Sequence, residues 1–236
     1  MTGEVYTRRY GYVSPGARGP FRFAAGIVCD HAGPPGPHPT RTMTNVSEPA
    51  IAHMHRRLAE LDAALDHIRD ASADEGRVHL IVRRPAGGAR EVIAEGVLDP
   101  IEGLVGDTWQ ARGGRRPEQP ADPDTQVTLM SVRAIGAISP DSSRWPLAGD
   151  QLFVDLDLSG ANLPAGTRLQ VGAAVLEVTS QPHTGCGKFV ERFGVDAMKW
   201  VNAPRGRALN LRGIYARVVT GGRVGQGDAV RKSNLS

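Results

Sequence analysis

The chain is poor in cysteine and aromatic residues and has no long apolar run. Its two cysteines are Cys29 and Cys186. Cys29 lies among prolines and glycines, so no structural disulfide is expected, and the Cys-x-x-Cys spacing of zinc sites is absent. No apolar stretch approaches the roughly 18 residues of a membrane-spanning helix, and the N-terminus lacks the hydrophobic region of a signal peptide. The sequence therefore predicts a cytoplasmic protein with no membrane partner.

The chain also lacks a strong excess of charge. Lys and Arg number 28 against 25 Asp and Glu, which gives a formal net charge of +3 over 236 residues. Proteins that neutralise a nucleic-acid backbone carry clustered basic residues, and no run of five or more Lys or Arg occurs. No nucleic-acid partner is predicted. A small ligand with a phosphate group needs only a few arginines and stays compatible with this composition.

Residues 1–46 differ from the rest of the chain. Six of the 17 prolines fall here, and only residues 21–29 are apolar enough for a short strand. We expect this segment to be mostly disordered, with a proline-rich tail that binds a partner as the alternative. Because Met43 lies just before the first regular element, the start codon is expected at either Met1 or Met43.

Residues 47–75 are predicted to form an amphipathic helix. Ser47 is a typical N-cap residue, and apolar residues then recur at alternating spacings of three and four, which places them on one helix face. These residues are Ile51, Met54, Leu58, Leu61, Leu65 and Ile68. We predict that this face packs on the main domain; a helix that joins two chains in a homodimer is the alternative.

Residues 76–232 show short strands separated by turns. Residues 78–83 and 91–98, for example, flank a Pro-Ala-Gly-Gly turn and predict a hairpin. Glycine (29) and proline (17) are plentiful, which suits many short strands better than a helical bundle. The predicted fold class is mostly β (α+β), a barrel-like domain with short helices after an N-terminal amphipathic helix.

The most informative stretch runs from Gln181 to Phe189. It follows a predicted strand and precedes a helical pattern, and Cys186 lies at this junction between two glycines. Glycine lets another molecule approach the backbone closely. A helix start next to the sulfur favours the thiolate over the thiol.

Three charged or titratable neighbours strengthen this prediction. Lys188 and Arg192 would add positive charge near the sulfur, and His183 could act on it directly. A nucleophilic or metal-binding cysteine needs such surroundings. The alternative is a small, buried and inert thiol, which free cysteines often are.

Common nucleotide-binding and hydrolase motifs do not fit. A P-loop would require glycine at Pro182 and a hydroxyl residue at Phe189. The glycines at 221–227 join predicted strands, whereas a dinucleotide fingerprint joins a strand to a helix. No Gly-x-Ser-x-Gly nucleophile elbow occurs.

Several motifs between about residues 97 and 231 are shared with a known family. They are Gly103–Asp107, Gly149–Leu152, Gly160–Leu163, Leu176–Thr179, Pro182–Phe189, Gly206–Arg207, Leu211–Ile214 and Gly227–Val230. In these motifs the chain resembles the MOSC family, the domain found at the C-terminus of molybdenum cofactor sulfurases. The strand that leads into Cys186 is the most specific part of the resemblance.

The resemblance implies a β-barrel that binds the molybdenum cofactor, a molybdopterin, as its small-molecule partner. It implies that Cys186 ligates molybdenum or carries sulfur as a persulfide, with His183 and Lys188 as further catalytic candidates. The expected activity is reduction of small N-hydroxylated compounds with a redox partner protein. A non-enzymatic sulfur or cofactor carrier and a metal-free domain are the alternatives. The cofactor-binding candidates are Asn162, Thr184, Gly185, Gly187, Arg144, Arg192 and Arg205.

Two features depart from the family pattern. A typical Gly-Asp-x-His segment reads Gly-Asp-Thr-Trp at residues 106–109, without the histidine. The chain also has no room for the pyridoxal-phosphate domain of full-length sulfurases. Pyridoxal phosphate is therefore not expected as a cofactor.

Overall fold

The structure, a computed structural model, describes residues 55–114 and 119–233. The predicted disorder of residues 1–46 and the first part of the predicted helix, up to residue 54, lie outside the described residues. None of the helices in the described part of the chain is long and apolar enough to cross a membrane.

The described residues contain eleven strands, numbered here in chain order. They are β1 (Glu75–Arg83), β2 (Glu91–Ile93), β3 (Glu95–Asp99), β4 (Gly103–Leu104), β5 (Val127–Ser131), β6 (Leu152–Val154), β7 (Arg168–Val171), β8 (Ala174–Val178), β9 (Ile214–Thr220), β10 (Gly222–Gly225) and β11 (Ala229–Lys232).

Short helices connect or flank these strands. They are α1 (Leu58–Asp62), α2 (Leu65–Arg69), α3 (Trp109–Arg112), α4 (Val132–Ile138), α5 (Gly187–Asn202) and α6 (Pro204–Ala208), with 3-10 helices at Pro123–Thr125 and Ser142–Ala148.

Seven strands close a barrel in the order β1, β11, β7, β8, β9, β5, β6 and back to β1. Closure is possible because the first half of β1 pairs with β11 (Gly76 with Val230) and its second half pairs with β6 (Ile81 with Leu152). The pairing of β5 with β6 is parallel, and α4 and the second 3-10 helix form its crossover. The predicted mostly-β barrel with short helices is confirmed.

A smaller sheet, in the order β10, β3, β4, accompanies the barrel. The predicted hairpin is present where Ile81 pairs with Ile93, but the rest of its second strand, from Glu95, belongs to this smaller sheet. Gly222, expected in a closing turn, instead begins β10. A Cβ atom there would lie 2.5 Å from the backbone of Ala173, so only glycine allows this approach.

Two hydrophobic cores share the barrel wall. Side chains alternate along each strand, so Leu152 and Val154 of β6 point into the barrel while Phe153 between them joins the outer core. The outer core lies between the barrel and the helices. Its largest members are Leu61, Leu65, Met130, Ile135, Phe153, Phe189, Phe193 and Trp200.

The described part of the predicted N-terminal helix is divided into α1 and α2. The N–H of Ala64 bonds the Leu61 carbonyl, a tighter i-to-i+3 turn that interrupts the helix. The chain enters β1 at Glu75, so the helical segment ends earlier than the sequence pattern indicates. Leu61, Leu65 and Ile68 are buried in the outer core of the same chain.

Two leucines of the predicted apolar helix face, Leu58 and Leu65, predict different costs of truncation. Leu65 is 3% exposed and Leu58 is 40% exposed. We expect Leu65→Ala to lower the free energy of unfolding by about 2–4 kcal/mol, since it leaves a cavity, and Leu58→Ala by less than about 1 kcal/mol. Urea denaturation of both variants measures this; equal losses would contradict the packing described.

Candidate functional site

A polar cavity of about 900 Å³ collects side chains from distant parts of the chain. Its cationic lining residues are Arg84, Arg90, Arg112, Arg192, Arg212 and Lys188. The thiol of Cys186, the imidazole of His183 and the phenol of Tyr215 line the same space. Positive charge is therefore concentrated at this cavity, although the net charge of the whole chain is small.

Cys186 is the N-cap residue of α5, and its thiol is free and exposed at the cavity. Asn202 holds Gly185, the residue before Cys186, through two hydrogen bonds, a pair called here the Asn202 clamp. The Gly185 N–H donates to Asn202 Oδ1 (2.9 Å), and Asn202 Nδ2 donates to the Gly185 carbonyl (3.0 Å). A Cβ atom at Gly185 would lie 3.1 Å from the Val201 side chain. The loop is thus held tightly against the end of α5.

The clamp depends on a sharp bend in α5. A straight helix of this length would separate its two ends by roughly 24 Å, at 1.5 Å per residue. Gly194, with φ 88° and ψ 164°, interrupts the helix so that the chain turns back. A Cβ atom at Gly194 would lie 2.9 Å from the ring of His55, so the bend requires glycine. Gly194 therefore divides α5 into two helical segments.

Two fully buried carboxylates hold two of the arginines. Arg84 bonds Asp107 through Nε (2.7 Å) and Nη2 (2.8 Å), a bidentate pair. Arg212 bonds Asp150 through Nη1 (2.7 Å). Buried pairs of this kind are stable when their remaining donors are also satisfied.

Backbone carbonyls complete the fixation of the arginines. The last carbonyls of a helix have no partner within it, and the 3-10 helix Ser142–Ala148 ends at the cavity, with Gly149 in the left-handed region (φ 87°). Three successive carbonyls each accept one guanidinium bond: Arg192 donates to Leu147 (2.6 Å), Arg212 to Ala148 (3.0 Å) and Arg84 to Gly149 (2.9 Å).

Arg90 and Arg192 form a like-charged pair. A Cβ atom at Gly149 would lie 3.4 Å from Arg90 Nη2 and 4.0 Å from Arg192 Nη1. Arg90 Nε is buried without a hydrogen-bond partner among the described residues. Burial, with the charges of Arg192, Arg84 and Arg112, lowers the pKa of Arg90. A bound anion would relieve both the repulsion and the missing hydrogen bond.

His183 and Tyr215 form a buried, neutral pair. Their ring centroids are 4.4 Å apart. Burial, with the charges of Arg212 and Arg84, holds the pKa of His183 well below its usual range. Burial and Asp150 raise the pKa of Tyr215. At neutral pH the cavity therefore contains an uncharged imidazole and a protonated phenol.

His183 Nδ1 lies 3.7 Å from Asp150 Oδ1, and neither atom has a hydrogen-bond partner among the described residues. A small shift would let the Nδ1–H donate to this oxygen. That bond would leave Nε2 as the unprotonated nitrogen.

Four of the predicted site residues line the cavity: Cys186, His183, Lys188 and Arg192. Thr184, Gly185 and Gly187 belong to the same loop and helix start. This part of the predicted site is assembled in one place.

Three other candidates lie elsewhere or act indirectly. Asn162 Nδ2 donates to the carbonyls of Ala73 and Asp157, a structural role away from the cavity. Arg205 lines a separate cavity of about 440 Å³. Arg144 Nη2 donates to the Arg192 carbonyl (2.5 Å), so it supports α5 from outside the cavity lining.

Sequence reasoning missed Arg84, Arg90, Arg112, Arg212 and Tyr215 as site residues. Arg212 falls within a shared motif, Leu211–Ile214, which was a usable signal. Arg84 and Arg90 flank a hairpin turn, and nothing in their neighbours along the chain separates them from solvated arginines.

Residues 106–109 read Gly-Asp-Thr-Trp, and the structure shows what the tryptophan does at this position. Asp107 is fully buried and holds Arg84, while the Trp109 ring lines the cavity. The Trp109 Nε1–H donates to Thr125 Oγ1 (3.3 Å). Tryptophan thus forms an apolar wall at this corner.

Within residues 55–114 and 119–233, no group of three His, Cys, Asp or Glu side chains could hold a metal ion. A metal at Cys186 would therefore depend on ligands supplied by a cofactor.

Comparisons with known proteins give one family match and several similar solved structures. Residues 123–231 match the family model of the MOSC domain. Solved structures similar to this chain include YuaD from Bacillus subtilis (17% identity over 66% of this chain and 94% of that one, TM-score 0.48) and YiiM from Escherichia coli (20%, 68% and 71%, TM-score 0.44). No match was found among curated proteins.

The Asn202 clamp predicts a mobile cysteine loop when it is removed. Asn202→Ala deletes both bonds to Gly185, so amide exchange at residues 184–186 should rise and the free energy of unfolding should fall by about 1–3 kcal/mol. Hydrogen exchange and urea denaturation measure this. Asn162→Ala, which also loses two backbone contacts, serves as control and should leave exchange in the cysteine loop unchanged.

The neutral state of His183 predicts a pH dependence of stability. The unfolded chain protonates this side chain near its ordinary pKa of about 6.5, whereas the folded protein does so only at lower pH. Between these two values the unfolded state binds more protons, so stability decreases as the pH falls below about 6.5. His183→Gln should flatten this dependence in urea titrations, and His79→Gln, at an exposed position, should not. Identical slopes in all three proteins would contradict the assignment.

Proposed function

We propose, from the match of residues 123–231 to the family model of the MOSC domain, that the cavity of this chain binds a molybdenum cofactor with Cys186 as a ligand of the metal. The observation that carries the proposal is an exposed thiol in a cavity lined by five arginines and a lysine. The thiol suits a soft metal centre, and the cations suit an anionic organic group.

The residues present fit such a group. Cys186 would supply one thiolate, and the cofactor would supply the remaining metal ligands, since the described residues offer no metal-binding cluster of their own. When bound, the cofactor would provide two-electron redox chemistry at molybdenum.

Arg90 and Arg192 are the proposed partners of the cofactor's phosphate. They converge at Gly149, and no carboxylate of the described residues forms an ion pair with either of them. Arg192 lies six residues after Cys186, in the part of α5 before its bend, so the first turns of α5 separate the metal end of the cavity from the phosphate end. A phosphate monoester carries a charge of about −1.5 to −2, which two arginines balance.

The proposed reaction is reduction of small N-hydroxylated compounds. The N–O bond breaks, two electrons come from a redox partner protein, and two protons are added, so that the amine and water are released. The reaction class comes from the family resemblance. The cavity supports it because Tyr215 keeps its proton on the phenol oxygen at neutral pH and His183 next to it is uncharged.

Replacing Cys186 by serine tests the metal assignment. The hydroxyl stays protonated and is a poor ligand for a soft metal, so full-length protein from a cofactor-competent host should lose most of its molybdenum and its turnover of phenylhydroxylamine. The exposed position predicts a change in unfolding free energy of less than about 0.5 kcal/mol. Elemental analysis and urea denaturation measure both effects.

Cys29→Ser is the matched control, since it removes the other cysteine of the chain. Equal molybdenum in wild type and Cys186→Ser would contradict the assignment. Molybdenum bound without turnover, together with a persulfide detected on Cys186 by mass spectrometry, would indicate the carrier function in place of the reductase.

A further inference from the structure

The cavity contains more positive charge than one phosphate requires. Of its six cationic residues, Arg84 and Arg212 are balanced by Asp107 and Asp150. Asp122 also lines the cavity, and its carboxylate accepts the Asp124 N–H.

Four cations have no carboxylate of their own among the described residues. They are Arg90, Arg112, Arg192 and Lys188. Asp107 lies 3.9 Å from Arg112 Nη2, but the same carboxylate already forms a bidentate pair with Arg84. A phosphate at Arg90 and Arg192 therefore leaves Arg112 with only a carboxylate that it shares with Arg84.

Arg112 lines the cavity from a different element than the Arg90 and Arg192 pair. It is the last residue of α3 and is followed by Gly113, with φ 65°. Its side chain is 52% exposed, so an incoming molecule can reach it. Its charge acts on the Tyr215 phenol as well as on Arg90. Arg112 is thus close enough to the proton-bearing Tyr215 for a ligand to meet both side chains.

Resting on the proposed function, we infer that the cavity selects N-hydroxylated substrates that also carry a carboxylate, and that Arg112 binds this group. The guanidinium presents two parallel N–H donors that match a carboxylate. With the acid held at the rim, the N-hydroxyl group extends inward, past Tyr215 and toward Cys186. Arg112 is then a specificity-determining residue.

Two compounds that differ only by a carboxylate test this inference: phenylhydroxylamine and its para-carboxylate. Their dissociation constants are measured by calorimetry on full-length, cofactor-loaded protein without reductant, so that the result does not depend on turnover. We expect wild type to bind the carboxylate about tenfold more tightly, in line with one charge-assisted hydrogen-bonded pair. Arg112→Gln should bring the ratio of the two constants close to one.

Two further variants separate this role from others. Arg90→Gln should lower the molybdenum content while the protein that stays loaded keeps its preference for the carboxylate. Arg69→Gln removes an exposed arginine paired with Asp66 and controls for net charge. Its ratio should equal that of wild type.

Three results would overturn the inference. They are equal binding of both compounds by wild type, a preference that survives in Arg112→Gln, and loss of molybdenum from Arg112→Gln as large as that from Arg90→Gln. The last result would assign Arg112 to a second phosphate of the cofactor. A preference for the carboxylate without turnover would overturn only the proposed reaction and would support the binding role of Arg112.

Discussion

The site depends on the unpaired carbonyls at the end of one short 3-10 helix. Helix ends leave carbonyls without internal partners, and here Leu147, Ala148 and Gly149 accept bonds from three arginines of three different parts of the chain. The crossover between the parallel strands β5 and β6 delivers this helix to the cavity. One backbone segment therefore sets the positions of side chains as far apart in the chain as Arg84 and Arg212.

The arginines fall into two groups with different physical roles. Arg84 and Arg212 are neutralised by buried aspartates and form a fixed wall. Arg90 and Arg192 converge at Gly149 as like charges, which the free protein tolerates only through partial solvation. The repulsion between these two arginines therefore favours binding of an anion. Any ligand that supplies one stabilises the native protein in proportion to its concentration relative to its dissociation constant.

The parts of the structure that local patterns encode were predictable. Alternating apolar residues indicated the barrel strands, and the glycines around Cys186 indicated its exposed loop. The arginine site was not predictable in this way, because Arg84 and Arg90 derive their role from contacts with Gly149, which is remote in sequence. Arg205 was predicted to bind cofactor from its residue type alone, and the fold places it at another cavity.

The tryptophan at position 109 changes the cavity wall without disturbing the arginine scaffold. Asp107 accepts a backbone N–H from residue 109 (2.8 Å), a bond that any residue except proline can donate. The carboxylate can therefore hold Arg84 whether residue 109 is histidine or tryptophan. An imidazole would offer the cavity a titratable nitrogen, whereas the indole N–H is already bonded to Thr125. In the proposed reaction, proton transfer would then rest on His183 and Tyr215.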